Sequence, residues 1–476
     1  MNIKKLLLRS ALLIPLILGT LGFLSEGSPF NDALFSAITL YALEYGDGGN
    51  NLLVEIARWT APLATASGLL ILLSQLRERL HNYLLYRQGK AVAVYGSNRD
   101  TARLLRQLGD CGIEGGSKLV KAQKYILAGD EAFNLAFYNR HREKLENSSV
   151  YLKCSTIPAQ SSSPANLRLY SPEETAARLF WKRSNVLALS EQNGHRMNIV
   201  ILGFGRLGEH LLTTALQQNI FHPDQAIAYH VFGNDDGFIA THRQLKEISD
   251  PVTFYTAPWY DHSDLLDKAA MVIVAEQENQ TALVGRLLST LTRETVHVFA
   301  EGSFGLEILD EQDRLQIFRW KTEAASPEQI FSTKLYEDAM QLNLSYAVRY
   351  SDSAGTAEEE WAKLNGFTRY SNISSADYFE VLRALLGINK QPDSYAALSD
   401  DWIEHLAELE HIRWCRYHYL HNWSCGIPEN GKAKDSAKRI HRSLIPYAQL
   451  TENEKMKDRE NIEMMFSLTN IIPTRF

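Results

Sequence analysis

Two groups of residues in this 476-residue chain have the types and spacing to do chemistry. The first lies in M-N-I-V-I-L-G-F-G-R-L-G, where Gly203, Gly205 and Gly208 follow an apolar stretch, Ile199–Leu202, and open a helical one. There Gly203 permits a tight turn, Gly205 lets a pyrophosphate approach the backbone, and Gly208 lets helix and strand pack closely. The carboxylate expected on the ribose hydroxyls is out of register: Gly233 and Asn234 hold its place, and Asp235 and Asp236 follow. NAD(H) or another adenine nucleotide is the expected ligand, with a scaffold serving assembly alone as the alternative.

The second group lies near the C-terminus. Trp414 and Trp423 offer flat apolar faces, and Arg413, Lys438, Arg439 and His441 offer donors and positive charge. Aromatic surface beside cations suits a nucleobase and its phosphate, through stacking and charge-assisted hydrogen bonds. The alternative is a helical core with both tryptophans packed inside and the charges solvated. Glu410 and His411 are adjacent, but no nucleophile or metal partner stands at useful spacing. They read as ligand contacts or structural hydrogen bonds, and with no hydride-transfer pair either, no enzyme is expected.

These groups need elements to hold them. Further strands are expected at AIAYHVFG, MVIVAE and VHVFAE with helices between, giving a Rossmann-like lobe over residues 191–328. An earlier strand, Val92–Tyr95, turns through Gly96 into a helix, with Asn98 and Thr101 where the later glycines would stand. Another strand lies in KYILAGDEAFNLAFYNR. The chain between is short, so residues 89–190 are expected to form an abridged lobe with no assigned ligand. From about Gln329 the pattern turns helical, through LYEDAMQLNLSYAVRY, SADYFEVLRALLG and WIEHLAELEHIRWCRYHYLHNW.

Composition is that of a globular protein: 45% hydrophobic, 22% charged, net charge −7. A nucleic-acid binder would be expected to carry a strongly basic domain, so none is expected as a partner. The four cysteines, Cys111, Cys154, Cys415 and Cys425, lack metal-ligand spacing and suit a reducing cytosol. The mean hydropathy of −0.23 averages over an apolar N-terminal end.

That end holds two apolar runs. Leu6–Leu24 would span about 28 Å as a helix, enough for a bilayer's hydrocarbon, and a second run covers Leu52–Leu76. A signal peptide is the alternative for the first, since Lys4, Lys5 and Arg9 attend it, but no Ala-x-Ala-like cleavage site follows. Arg77, Arg79 and Arg87 follow the second run, whereas Glu26, Asp32, Glu44, Asp47 and Glu55 mark the connection. The positive-inside rule then places both termini in the cytoplasm and residues 25–51 outside. Pro29, Asn31 and Asp32 can start a short helix that Ala33–Leu43 continues and Gly46, Gly48 and Gly49 end. A half-membrane helix ending in such a loop is tolerated only where protein or water surrounds it, as in a re-entrant loop over about 29–49.

The hairpin resembles the two-helix potassium-channel family, whose filter reads T-V-G-Y-G-D after a pore helix. Ala42, Leu43, Glu44, Tyr45, Gly46 and Asp47 stand at those positions, and the last three agree. The resemblance implies a homotetramer, in which Glu44 would form a carboxylate ring with Asp47 as a second ring just outside. Such rings attract cations by charge and discriminate poorly by dehydration, so cation preference without strong potassium selectivity is expected. An ordinary loop with a chance Y-G-D is the alternative.

Two lobes behind such a hairpin resemble the RCK/TrkA-N regulatory domains of prokaryotic potassium channels, over about residues 90–320. That resemblance implies lobes that pair into a gating ring. The C-terminal part resembles the RyR-repeat domain, also found in bacteria, with its E-H-x-R-W helix, G-W-x-Y-G element and K-x-H-P-x-L-x-P-Y segment. Glu410, His411, Arg413 and Trp414 match the first, Trp423 and Gly426 the second, and Lys438 or Arg439, His441, Leu444, Pro446 and Tyr447 the third. Upstream, W-A-K-L-N-G-F-T-R-Y-S-N is similar to the first half of the bacterial form, through Trp361, Arg369, Ser371 and Asn372. Asn422, Cys425 and Arg442 depart from the pattern's glycine, tyrosine and proline. The ligand residues implied are Arg369, Asn372, Glu410, His411, Arg413, Trp414, Trp423, Lys438, Arg439, His441 and Tyr447.

The expected architecture is therefore an α-helical two-TM pore module (1–88), tandem α/β Rossmann-like lobes (89–190 and 191–328) and a mainly α-helical RyR-like domain (329–476). The expected function is a ligand-gated cation channel of the bacterial inner membrane, gated by a nucleotide-type messenger, with a role in stress or antiviral signalling. The alternative is a non-conducting, membrane-anchored nucleotide sensor that regulates ion transport.

Overall fold

The computed structural model describes residues 3–44, 51–116, 118–155, 164–235, 237–291, 295–301, 305–309, 313–351, 354–429 and 431–469, with backbone alone for 3–12 and 469. The chain forms two compact units, Met1–Ala91 and Val92–Phe476.

The first unit is a helical hairpin: α1 (Ile3–Ser25), the short α2 (Phe30–Thr39) and α3 (Leu52–Arg87). Pro29 precedes α2, and the Asn51 side chain caps α3 by accepting from the Leu53 amide at 2.8 Å. The helices meet through small residues. Ala33 and Ala37 on α2, and Ala57 and Ala61 on α3, are fully buried at four-residue spacing, which sets each pair on one face. A Cβ at Gly22 would stand 2.5 Å from the Val54 side chain, so α1 and α3 touch where glycine allows it.

After α2 a 3-10 turn, Leu40–Ala42, ends at Leu43 with φ of 64°. Ala42, Leu43 and Glu44 are exposed, while Tyr45, Gly46 and Asp47 lie outside the described residues. The left-handed stop thus falls on a leucine, ahead of the glycines expected to make it. α3 runs eleven residues past the expected end at Leu76 and continues unbroken through Gly68. Its 36 residues reach about 54 Å, well beyond the roughly 30 Å of hydrocarbon. Among the described residues α3 is the one helix long and apolar enough to cross a membrane; the described apolar part of α1, Leu13–Ser25, is shorter. Leu69, Leu70, Leu72, Leu73 and Leu76 of α3 are each more than half exposed.

The second unit begins with a five-stranded parallel sheet in the order β2-β1-β3-β4-β5: β1 (Val92–Tyr95), β2 (Gly112–Glu114), β3 (Lys124–Leu127), β4 (Ser149–Lys153) and β5 (Leu167–Tyr170). Helices α4 (Arg99–Leu108), α5 (Glu131–Leu145) and α6 (Pro172–Arg183) accompany it. Five parallel strands of three to five residues fit into this length, but among the described residues no helix separates β2 from β3 or β4 from β5, so this lobe's set of crossover helices is shorter than in a full doubly wound one. Its first turn is filled by its own cap. Asn98 accepts from the Thr101 amide at 2.9 Å and donates to the Ala128 carbonyl at 2.8 Å, taking a helix N–H that a phosphate would use.

A six-stranded parallel sheet follows, ordered β11-β10-β9-β6-β7-β8: β6 (Arg196–Leu202), β7 (Ala226–Phe232), β8 (Val252–Tyr255), β9 (Met271–Val274), β10 (Val296–Phe299) and β11 (Leu315–Phe318). Read from its far edge this is the 3-2-1-4-5-6 order of a Rossmann fold, with α7 (Arg206–Gln218) rising from the glycine turn. The sequence pattern missed β8 and β11, whose half-exposed edge positions alternate too weakly to stand out.

The C-terminal helices are α8 (Thr333–Ser351), α9 (Gly366–Ile388), α10 (Asp400–Leu420) and α11 (Glu452–Thr469), with a small sheet of β12 (Ser424–Cys425), β13 (Lys434–Asp435) and β14 (Ile440–His441). They do not form a separate body. One apolar core joins Leu211, Ile220 and Tyr229 of the second lobe to Tyr378, Leu406 and Leu409 of α9 and α10. Buried charge crosses the same boundary. Arg416 on α10 meets Asp250 at 2.6 Å and also donates to Ser249 Oγ and the Leu216 carbonyl. Arg178 and Lys182 of α6 hold Asp377 of α9 at 2.8 and 2.7 Å. Burial opposes charge on Asp377, but the two cations outweigh it and hold its carboxyl down to about 2.

Removing one partner of the buried Arg416–Asp250 pair strands the other charge. Arg416→Met is expected to cost about 3–5 kcal/mol in urea unfolding, whereas Lys438→Met, at an exposed pair with Glu429, should cost less than about 1 kcal/mol.

Candidate ligand-binding site

A cavity of about 260 Å³ opens between α8, α9, α10, the small sheet and α11. Local sequence explains how each wall is held. Ser399 caps α10 at the Trp402 amide, with Asp400 and Asp401 in its first turn. Positions 410, 414 and 418, four apart, then share one face and bring Glu410, Trp414 and His418 to the cavity. Asn365 caps α9 at the Thr368 amide, and the next two turns present Phe367, Ser371, Asn372 and Ser375.

The floor is an ion pair. Arg413 and Glu410 are each 1% exposed and joined by two hydrogen bonds, Nε to Oε2 at 2.7 Å and Nη2 to Oε1 at 2.8 Å. Arg413 Nη1 donates to Ser374 Oγ at 3.1 Å, and Ser375 Oγ donates to Glu410 Oε1 at 2.7 Å. Every guanidinium nitrogen has a protein acceptor. The expectation that Arg413 offers its charge to a ligand is therefore corrected: a buried guanidinium needs an internal carboxylate, and Glu410 supplies it.

His411 is also engaged. Its Nε2 lies 2.8 Å from the Ile445 carbonyl, and its Nδ1 lies 3.3 Å from the Asp458 carboxylate. Burial alone would lower its proton affinity; the hydrogen bond to Asp458 overrides it and pushes the imidazole up to about 11. Both ring nitrogens face acceptors, so His411 is an imidazolium fixed beneath Trp414, whose ring centroid is 5.7 Å away.

The expected ligand residues divide by position. Asn372, Glu410, His411, Arg413, Trp414 and His441 line the cavity. Arg369, Trp423, Lys438, Arg439 and Tyr447 do not. Arg369 donates to the carbonyls of Trp361 and Ala362, fastening α9 to the helix before it. Trp423 is 4% exposed and stacks at 5.2 Å on Phe367, backing a wall without reaching the ligand space. Lys438 pairs with Glu429 on the surface, Arg439 donates to the His421 carbonyl, and the Tyr447 hydroxyl donates to Glu404.

Residues not foreseen complete the site. Asn343 of α8 is buried, Asn461 of α11 is half-buried, and both line the cavity. Lys434 and Lys457 line it too, and among the described residues neither has a carboxylate partner. The signal for these four was weak because Asn343, Asn461 and Lys457 sit on ordinary helices, α8 and α11, and Lys434 on the two-residue strand β13, and only the fold brings them to α10.

The glycine loop has the geometry its spacing foretold. Gly203 has φ of +98°, and a Cβ there would stand 2.6 Å from the Glu276 amide nitrogen. A Cβ at Gly208 would stand 2.3 Å from the Gly203 carbonyl oxygen, while one at Gly205 would meet nothing within 4 Å. Asp235 stands just past the end of β7, where its Oδ1 accepts from the Gly237 amide at 3.0 Å in an exposed turn. Asp236 lies outside the described residues. At the end of β7, Gly233 lies against the Phe204 backbone, and Phe204 packs edge-on to Phe238 and Phe254.

The RyR domain family matches residues 397–471, so the chain carries an RyR domain there. The cavity walls from α8 and α9 lie outside that match. No curated protein matches the chain. Among solved structures, a dipicolinate synthase polypeptide from Bacillus halodurans is similar at 13% identity and a TM-score of 0.24, covering 52% of this chain and 97% of its own. A D-lactate dehydrogenase from Treponema pallidum is similar at 10% identity and 0.21, covering 63% and 98%.

Burial lowers His418 well below the ordinary imidazole range and takes His421 and His441 down to about 4. Each binds a proton more readily unfolded than folded. Stability from these groups is therefore whole above about 6.5 and drains as pH falls toward 4. His411, raised in the fold, contributes fully below about 6.5 and does not offset that loss. The urea midpoint should decline between pH 6.5 and 4.5, and more gently in His421→Asn, which keeps a donor for the Tyr417 carbonyl.

Proposed function

We propose that the C-terminal cavity takes a nucleotide or nucleotide-derived messenger, and that its occupancy gates a cation pathway formed by the N-terminal hairpin in the inner membrane. One observation carries the ligand half. Trp414, Phe367, unspent polar side chains and the ammonium groups of Lys434 and Lys457 converge on a single cavity. A base against the aromatic walls with its phosphate at the lysines would satisfy all of them together. The phosphate role moves from Arg413, Lys438 and Arg439 to Lys434 and Lys457. The volume, about 260 Å³, falls just below the range of ligand sites, about 300–1,000 Å³, and so suits a ligand no larger than one nucleotide unit.

The cation half is supported by the hairpin. A short helix stops between two longer ones, Glu44 is exposed just past its end, and the apolar flank of α3 is uncovered. In a homotetramer with both termini cytoplasmic, Glu44 would ring the passage, Asp47 would add a second ring, and lipid would cover the outer leucines. The RCK-like lobes would carry the ligand's effect to α3, from which only residues 88–91 separate β1. The Gly203–Gly208 loop would accept a pyrophosphate, for NAD(H) or another adenine nucleotide. A non-conducting, membrane-anchored sensor that regulates ion transport is the second reading; the departures from the filter pattern at Ala42, Leu43 and Glu44 favour it.

Purified full-length protein should gain thermal stability with at least one nucleoside 5′-monophosphate. Trp414→Ala should weaken that binding at least tenfold, and the double change Lys434→Ala, Lys457→Ala should weaken it while flattening its salt dependence. An unaffected shift places the ligand elsewhere. Reconstituted protein should pass cations, with Glu44→Gln reducing the preference for cations over anions. No flux from ligand-bound protein leaves only the sensor.

A further inference from the structure

Two histidines at the cavity are locked in opposite tautomers by the backbone. His418 Nδ1 lies 2.8 Å from the Trp414 carbonyl oxygen, which can only accept, so the proton sits on Nδ1 and Nε2 carries a lone pair. His441 Nδ1 lies 3.1 Å from the Ser443 backbone nitrogen, whose hydrogen can only be donated, so there Nε2 carries the proton. His418 is 5% exposed, and among the described residues neither Nε2 has a hydrogen-bond partner. Both line the cavity. Their ring centroids are 6.0 Å apart, and they lie 4.0 and 4.9 Å from Trp414.

Both rings stay neutral. Burial lowers each, and the cations beside them add to it: Arg413 for His418, and Lys434, Lys457 and Arg442 against the single carboxylate of Glu454 for His441. A neutral pair cannot attract phosphate, so charge does not explain why it stands beside the stacking surface. What it offers is one acceptor and one donor in fixed order.

We propose that this pair reads the pairing edge of the ligand's base, and so sorts bases by hydrogen-bond order irrespective of ring size. The inference rests on the nucleotide reading of the cavity and deepens it. Adenine and cytosine place an exocyclic amine donor beside a ring-nitrogen acceptor; guanine and uracil place an oxo acceptor beside a ring N–H donor. For a base held one way round, by its sugar and by a phosphate at Lys434 and Lys457, a fixed acceptor–donor pair accommodates one order and sets donor against donor in the other. Leaving buried polar groups unpaired is the strong form of discrimination.

The test is equilibrium binding of AMP, CMP, GMP and UMP to the full-length protein. The expected result is a preference of at least tenfold in the same sense within each size class, AMP against GMP and CMP against UMP. His441→Phe keeps a ring beside Trp414 but removes the donor, and should reduce that preference to under threefold. His441→Gln places an amide near the position of Nε2 and should restore at least part of it. Affinities within threefold of one another, sorting by purine against pyrimidine, or an unchanged preference in His441→Phe overturns the proposal and leaves the nucleotide reading standing. Failure of all four to bind overturns both.

Discussion

A guanidinium and a carboxylate, each 1% exposed, lie at the centre of the C-terminal module. Burying two charges is unfavourable unless they meet in good geometry with their other valences filled. Glu410 and Arg413 meet that condition from a single turn of α10, with Ser374 and Ser375 of α9 satisfying what remains. The pair fixes the rotation of α10 against α9, and that rotation sets Trp414 and His418 on the cavity wall. Either charge without the other would have to leave the interior, and the wall would turn with it.

The same polar chain continues out of the module. Ser374 Oγ, which accepts from Arg413, donates to Gln217 of α7 at 3.1 Å, and Gln218 donates to the Ser374 carbonyl. α7 is the helix that rises from the glycine loop. Hydrogen bonds thus link the cavity floor to the C-terminal end of α7, the helix whose N-terminal end carries the nucleotide-type turn of the second lobe. Coupling between two sites requires an element both can bias, and α7 touches both. The shared apolar core and the Arg416–Asp250 pair leave little slack between them.

Departures from the RyR pattern make sense as contacts of this assembly. Asn422 stands where the pattern has glycine and keeps the left-handed backbone, with φ of 61°, which asparagine tolerates better than most residues. Its side chain grips the second lobe, accepting from the Arg243 amide at 2.8 Å and donating to the Thr241 carbonyl at 2.7 Å. Arg442 replaces proline and supplies an amide that donates to the Ala433 carbonyl at 3.1 Å, a bond proline cannot make. Asn422 thus adds a contact to the second lobe without giving up the turn, and Arg442 adds a backbone bond beside the pairing of β13 with β14.

The amino-acid order alone determined what depends on near neighbours. Strand, turn and helix at Gly203–Gly208 follow from local sterics, as do the caps at Ser399 and Asn365 and the apolar runs of the hairpin. It also pointed to the segment holding Trp414 and His441. It could not say which charges were available: Arg413 and Glu410 are three residues apart on a helix, and whether such a pair is solvated or buried is settled by α9 packing across it. Nor could it divide Trp414, on the cavity, from Trp423 behind Phe367, or bring Lys434 and Lys457 to the site from separate elements. Helical and strand periodicity is written within a few residues, whereas burial and convergence arise between segments distant in the chain, and only the packed structure decides them.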